Sequence, residues 1–126
     1  MPIKFNVVPK GNPSKPIDPK KFYASAISQG ETTIEGFTKK IEKISTVSGA
    51  DIRAVLYALV DVMVDEVAEG NIARLGDLGS FRVNISSEGK EKESEVNATT
   101  ITGGKIIFTP SNKLRDMLKT LKYEKA

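Results

Sequence analysis

Cysteine is absent from this 126-residue chain, so neither a disulfide nor a thiolate metal site can hold it together. Histidine is absent as well, which removes the commonest general base, metal ligand and near-neutral pH switch. The carboxylates that remain lie in mixed-charge runs or on helix faces and form no evident catalytic constellation. An enzyme is therefore the poorest reading, and no cofactor or metal is expected. No apolar run approaches the length needed to span a bilayer, and the N-terminus lacks the apolar core of a secretory signal. A reducing cytosol fits these absences. Proline is scarce beyond the start: five of the six lie before residue 20.

What is present is charge, unevenly spread. The net charge is only +3, with a pI of about 9.1. Residues 1–21 carry five lysines against one aspartate, residues 22–104 eight basic against thirteen acidic groups, and residues 105–126 six basic against two acidic. Both ends are positive and the middle is negative. Such asymmetry suits a polyanionic partner for the ends, although a solubilising surface would carry it too.

Ile3, Phe5 and Val7 alternate with Lys4 and Asn6, which predicts a short strand. Pro9, Pro13, Pro16 and Pro19 are then expected to forbid regular pairing, with Lys10, Lys15, Lys20 and Lys21 riding on the extended segment. The segment is either an arm along a polyanion or a strap packed on the domain or a second subunit. The need to bury Ile3, Phe5 and Val7 favours the strap. Residues 22–28 read as a second strand, ended by Gly30.

A first helix is predicted from Thr32, where Thr32 and Glu35 have capping-box spacing, with Ile34, Phe37, Ile41 and Ile44 as its buried stripe. Ser48 and Asp51 open a second helix over about 50–69, stopped by Gly70. Its apolar face is wide: Ile52, Val55, Leu56, Leu59, Val60, Met63, Val64 and Val67, flanked by Ala54, Ala58 and Val62. Leaving that surface wet would be expensive at roughly 25 cal/mol per Å². The economical solution is a homodimer with one shared core, in which Val55, Leu56, Leu59, Val60 and Met63 meet Phe81 and Phe108; a self-contained monomer core is the alternative.

The stretch from Arg74 to Asp116 organises the rest. Gly76 and Gly79 bracket a tight turn after a strand at 71–75. Phe81, Val83 and Ile85 then alternate with Arg82, Asn84 and Ser86; Ile106 and Phe108 alternate with Lys105, Ile107 and Thr109. Residues 86–104 between them are too polar for a core and too many for a tight turn, and should project as a two-stranded ribbon. Thr109 and Pro110 signal a closing helix, threonine as cap and proline in its first turn, with Leu114, Met117, Leu118 and Leu121 as its stripe.

Gly-x-Leu-Gly-Ser-Phe at 76–81, Ile-x-Phe-x-Pro at 106–110 and Leu-Arg-Asp at 114–116 together resemble the bacterial HU and integration host factor family. The resemblance covers about 32–121, and the added N-terminal part is similar to a longer HU-like branch. It implies an α+β fold, an HU/IHF-like intertwined dimer. Two N-terminal helices precede an antiparallel sheet with a projecting β-ribbon arm and a short C-terminal helix. Residues 1–31 would be an extension and 32–126 the DNA-binding domain, its arm at about 86–104.

The function implied is a nucleoid-associated, dimeric protein of weak sequence specificity, gripping the backbone and minor groove of double-stranded DNA. An HU fold adapted to protein–protein interaction is the alternative. The resemblance places Arg82 and Lys105 at the arm base, Lys90 and Lys92 on the arm, and Lys113 and Arg115 on the body. Two departures stand out. Asp77 occupies a position where the family usually has glycine. The arm has no proline at its tip and, with two lysines against four glutamates, is net negative over 86–104. In an extended strand Lys90 and Lys92 would face away from Glu91, Glu93 and Glu95, leaving one face able to meet phosphate. A mobile, solvated hairpin is the other outcome.

Overall fold

The computed structural model describes residues 2–126. Along the chain it forms β1 (Ile3–Lys10), β2 (Lys21–Ala26), α1 (Ile34–Ile44), α2 (Gly49–Ala68) and β3 (Ala73–Arg74). There follow β4 (Gly79–Ser87), β5 (Ile101–Pro110), α3 (Asn112–Leu118) and β6 (Tyr123–Lys125). These make a mixed α+β fold with two three-stranded sheets, ordered β2-β1-β6 and β3-β4-β5.

α1 begins one residue later than the capping-box spacing predicts. Thr33, not Thr32, is the cap, and its hydroxyl accepts from Gly36 N–H. Thr32 instead lays its methyl against Gly36, which a Cβ there would meet at 2.9 Å. α2 starts as its sequence predicts, with Ser48 Oγ accepting from Asp51 N–H at 3.3 Å. It ends in a Schellman motif: Gly70 N–H donates to Val67 O and Asn71 N–H to Glu66 O, both at 3.0 Å. The two helices meet at small residues. Buried Thr38 returns its hydroxyl to Ile34 O, and its methyl lies opposite Gly49. An exposed Arg53–Glu35 pair at 3.2 Å joins them outside.

The turn after β3 closes through Leu78 N–H to Leu75 O and Leu75 N–H to Gly79 O. Gly76, at φ +55°, takes the left-handed position, and no other residue type in the described chain has positive φ. Asp77 therefore needs no glycine. Gly79 does: its φ is +138°, and a Cβ there would strike Thr109 O and come within 2.9 Å of the Phe108 ring. Gly79→Ala is accordingly expected to cost about 3 kcal/mol, read as a lowered midpoint in urea unfolding at fixed protein concentration.

β5 runs two residues further than the Thr109-Pro110 signal suggests, because Thr109 and Pro110 pair with Ser80 and Gly79. The cap of α3 is thus Ser111, whose Oγ accepts from Leu114 N–H and donates to Asp77 O, tying the helix to the glycine turn. α3 is also shorter than its apolar stripe implies. It stops at Leu118, so Leu121 lies beyond it, and the chain returns as β6 beside β1, with Ile3 opposite Tyr123 and Phe5 opposite Lys125.

Pro9 corrects a further expectation, since it lies within β1 and pairs with Phe22. Even-numbered residues of β1 hydrogen-bond toward β2, as in Ile27 N–H to Lys4 O; odd ones bond toward β6, as in Ile3 N–H to Lys122 O and Ala126 N–H to Phe5 O. The Pro9 nitrogen therefore faces the β6 side, beyond the end of β6, where no ladder bond is lost.

The core of the single chain is small. Ile52, 5% exposed, is the one buried apolar side chain among the described residues. Phe37 and Ile44 of the expected α1 stripe are exposed, whereas Ile34 and Ile41 are half-buried. The accessible surface is 10603 Å², where a self-contained monomer of this mass has about 6,600 Å².

Candidate nucleic-acid interface

Sheet β3-β4-β5 has two chemically distinct faces because its register puts like beside like. On one face Phe81 lies opposite Phe108, Val83 opposite Ile106 and Ile85 opposite Gly104. The Phe81 and Phe108 rings stack, tilted, with centroids 4.8 Å apart. This face turns toward α2. Between them an open apolar cleft of about 420 Å³ is lined by Val60, Met63, Val64, Val67 and Ala68 from the helix and Phe81, Val83 and Ile106 from the sheet. Of the seven residues expected in a dimer core, Leu56, Leu59, Met63 and Phe81 are half-buried. Val55, Val60 and Phe108 are 65%, 57% and 42% exposed.

The other face is basic. Ser80, Arg82, Asn84 and Ser86 of β4 share it with Thr109, Ile107, Lys105 and Gly103 of β5. Arg74 of β3, opposite Ser80, joins them. Arg74, Arg82 and Lys105 thus occupy one face of one sheet, and its strands place no carboxylate there. All three are exposed, and none forms an ion pair among the described residues. Arg82 and Lys105 are diagonal neighbours, since Arg82 pairs with Ile107 and Asn84 with Lys105. Arg74 was missed in the sequence reading. β3 is too short to show a period, and only its pairing with Ser80 puts Arg74 on the face of Arg82.

The remaining candidates are dispersed. Lys113 and Arg115 are exposed on α3, beside the β4–β5 base. Lys90 and Lys92 lie at the far end of a ribbon whose nine-residue β4 spans about 30 Å. The regular ribbon ends at the Ser87–Ile101 pair, with an irregularity at Ser86/Ser87. Beyond it the tip does not continue as extended strands but folds into a cap. Glu93–Glu95 and Ala98–Thr100 form single 3-10 turns, and Asn97 caps the second. Thr100 is buried beneath them, its hydroxyl donating to Asn97 O at 2.8 Å, while Glu88 N–H donates to Thr100 O. This overturns the expected segregation of lysines from glutamates. Strand alternation is lost at the tip, and Lys90 pairs with Glu88 at 3.4 Å.

A helical pair on one side of a β-meander whose last two strands run out as a ribbon, followed by a short helix, defines an HU-like fold. The chain belongs to the family described as HU domain fused to a winged helix-turn-helix, Ig or glycine-rich motif, which it matches over residues 1–125. Among solved structures it is similar to a protein of Bacteroides vulgatus provisionally described as a bacterial DNA-binding protein. That match has a TM-score of 0.62 at 12% identity, covering 98% of this chain and 48% of the other. This chain therefore spans about half the length of that relative. It is also similar to Anabaena HU, solved with DNA, with a TM-score of 0.51 at 15% identity, covering 68% of this chain and 96% of that one. No curated protein matches it. Among the described residues no helix is long and apolar enough to cross a membrane.

Proposed function

We propose that the protein is a dimeric, nucleoid-associated DNA-binding protein that holds the backbone of duplex DNA with little sequence preference. The observation that carries this reading is the two-faced sheet, with an apolar side open beside α2 and a basic side bearing Arg74, Arg82 and Lys105. A second copy closing the open side would cover Val55, Val60 and Phe108. It would also place two basic faces on one body. The surface in excess of a compact monomer is roughly 4,000 Å² per chain, of which half would be ample for an obligate homodimer interface. Lys113 and Arg115 would extend the phosphate-contacting surface along the body, and Lys90 and Lys92 would meet the duplex from the ribbon, toward the minor groove. Lysine and arginine contacts to phosphate position a duplex without reading its bases, which suits weak specificity and an architectural role.

A second reading, protein–protein interaction through the same fold, is favoured by the tip. Residues 88–100 hold four glutamates against two lysines, one of them already paired. Titration of a duplex of unrelated sequence at about 50 and 200 mM salt separates the two. DNA binding predicts a drop of roughly 10³-fold or more if six or more phosphates are contacted. An intact protein with no affinity at the lower salt would leave only the second reading standing.

A further inference from the structure

The N-terminal sheet also has two faces. Its register places Phe5 opposite Ala26, Val7 opposite Ala24, and Ile3 opposite Tyr123 on one of them. A shallow cavity lined by Ile3, Phe5, Ala24, Ala26 and Tyr123 independently puts these side chains together. The opposite face carries Lys4, Lys10 and Lys21, with Lys10 opposite Lys21 and Val8 opposite Tyr23. There the Lys10 ammonium lies 5.8 Å from the centre of the Tyr23 ring. Glu124, in register with Lys4, is the one carboxylate that the three strands contribute to this face.

We propose that this lysine face is a second binding surface for the phosphate backbone of duplex DNA, separate from the basic face of sheet β3-β4-β5. The inference rests on the reading of the protein as a DNA binder and adds a site to it. Three observations carry it. Strand alternation puts Ile3, Phe5, Val7 and their partners on one side, with Lys125 the one charged residue the strands place there. Covering that side leaves Lys4, Lys10 and Lys21 outward beside Val8 and Tyr23. Residues 1–21 are net positive by four charges and residues 22–104 net negative by five. Yet no lysine of the extension forms an ion pair with the acidic body among the described residues. Finally, β6 pairs with β1 and ties the C-terminal end of the chain to the extension, so the lysines ride on a paired sheet rather than on a free tail. Three cations held on a sheet lose less freedom on meeting phosphate than three on a flexible arm.

The test compares the full chain with Lys4→Gln/Lys10→Gln/Lys21→Gln and with the charge-matched α1 variant Lys39→Gln/Lys40→Gln/Lys43→Gln. Duplex affinity is measured against salt concentration. The salt slope should fall by about 0.9 for each phosphate contact removed, so by roughly 3 per chain in the first variant, with little change in the second. The arginine version of the first variant should restore the slope, which excludes simple misfolding. An unchanged slope in the first variant, or equal losses in both, overturns the inference while leaving the DNA-binding function intact. A wild-type chain that ignores duplex altogether fails the function itself, and this inference with it. Loss of binding to vesicles of anionic lipid with duplex affinity unchanged would assign the lysines to a membrane surface and also overturn it.

Discussion

Replacing Val60 with aspartate is expected to dismantle the folded assembly. Val60 is 57% exposed in one chain, yet it lines the apolar cleft with Met63, Phe81, Val83 and Ile106. If a second copy closes that cleft, each chain must bury a carboxylate with no cation near it. Desolvating an unpaired charge costs several kcal/mol, and a symmetric dimer incurs that cost twice. Even 4 kcal/mol in total would weaken association about 10³-fold. Sedimentation equilibrium should give the wild type twice the 13.7 kDa of one chain, and the variant a monomer or an unfolded chain. The wild-type melting temperature should also rise with protein concentration, as it must when folding and association are one process. A surface valine behaves differently. If Val60 faces water in the functional protein, aspartate would change stability by less than about 0.5 kcal/mol and leave the mass alone. That outcome would remove the dimer and the shared basic surface built on it.

Much of the fold was legible because the elements that matter most are periodic. Ser48, Asp51 and Gly70 mark both ends of α2, and the structure adds only the hydrogen bonds that make them caps. The alternation of Phe81, Val83 and Ile85 gave the face of β4 directly. Errors fell at the ends of elements, where two local solutions compete. Thr32 and Thr33 can both cap α1, and the choice depends on which hydroxyl reaches Gly36 N–H. Thr109-Pro110 is a sound helix-start signal, but the ladder with Ser80 and Gly79 outcompetes it and passes the cap to Ser111. β6 had no signal of its own. Three residues after a helix become a strand only because β1 offers an edge more than a hundred residues earlier, and no local pattern encodes that pairing.

The candidate site was legible in the same uneven way. Arg82 and Lys105 stand in a clear two-residue period, so their shared face follows from the register. Arg74 sits in a strand of two residues, too short to show a period alone; only its pairing with Ser80 reveals the phase. The tip was misread because a polar run carries no hydrophobic alternation to follow. Asn97 Oδ1 instead accepts from Thr99 N–H and the Thr100 hydroxyl donates to Asn97 O, and such local side-chain-to-backbone hydrogen bonds draw a chain out of extended form. With the ribbon closed into an acidic cap, the proposed phosphate contacts would shift to the sheet face.

That shift makes a quantitative prediction for Arg74→Gln/Arg82→Gln/Lys105→Gln. All three cations are exposed, and none forms an ion pair among the described residues. Neutralising them should change the unfolding midpoint little, by an amount matching less than about 0.5 kcal/mol per site. Their effect on duplex binding should be large. If each contacts one phosphate, the salt slope falls by roughly 3 per chain and affinity at 0.15 M salt by about 100-fold. The parallel variant Lys90→Gln/Lys92→Gln should lose much less. Lys90 is already held by Glu88 at 3.4 Å, and neighbouring glutamates repel the phosphate that either lysine would approach. The ranking matters more than either number. A large loss for the tip pair with an inert sheet triad would mean that the cap opens on DNA and that the ribbon end, not the sheet face, holds the duplex.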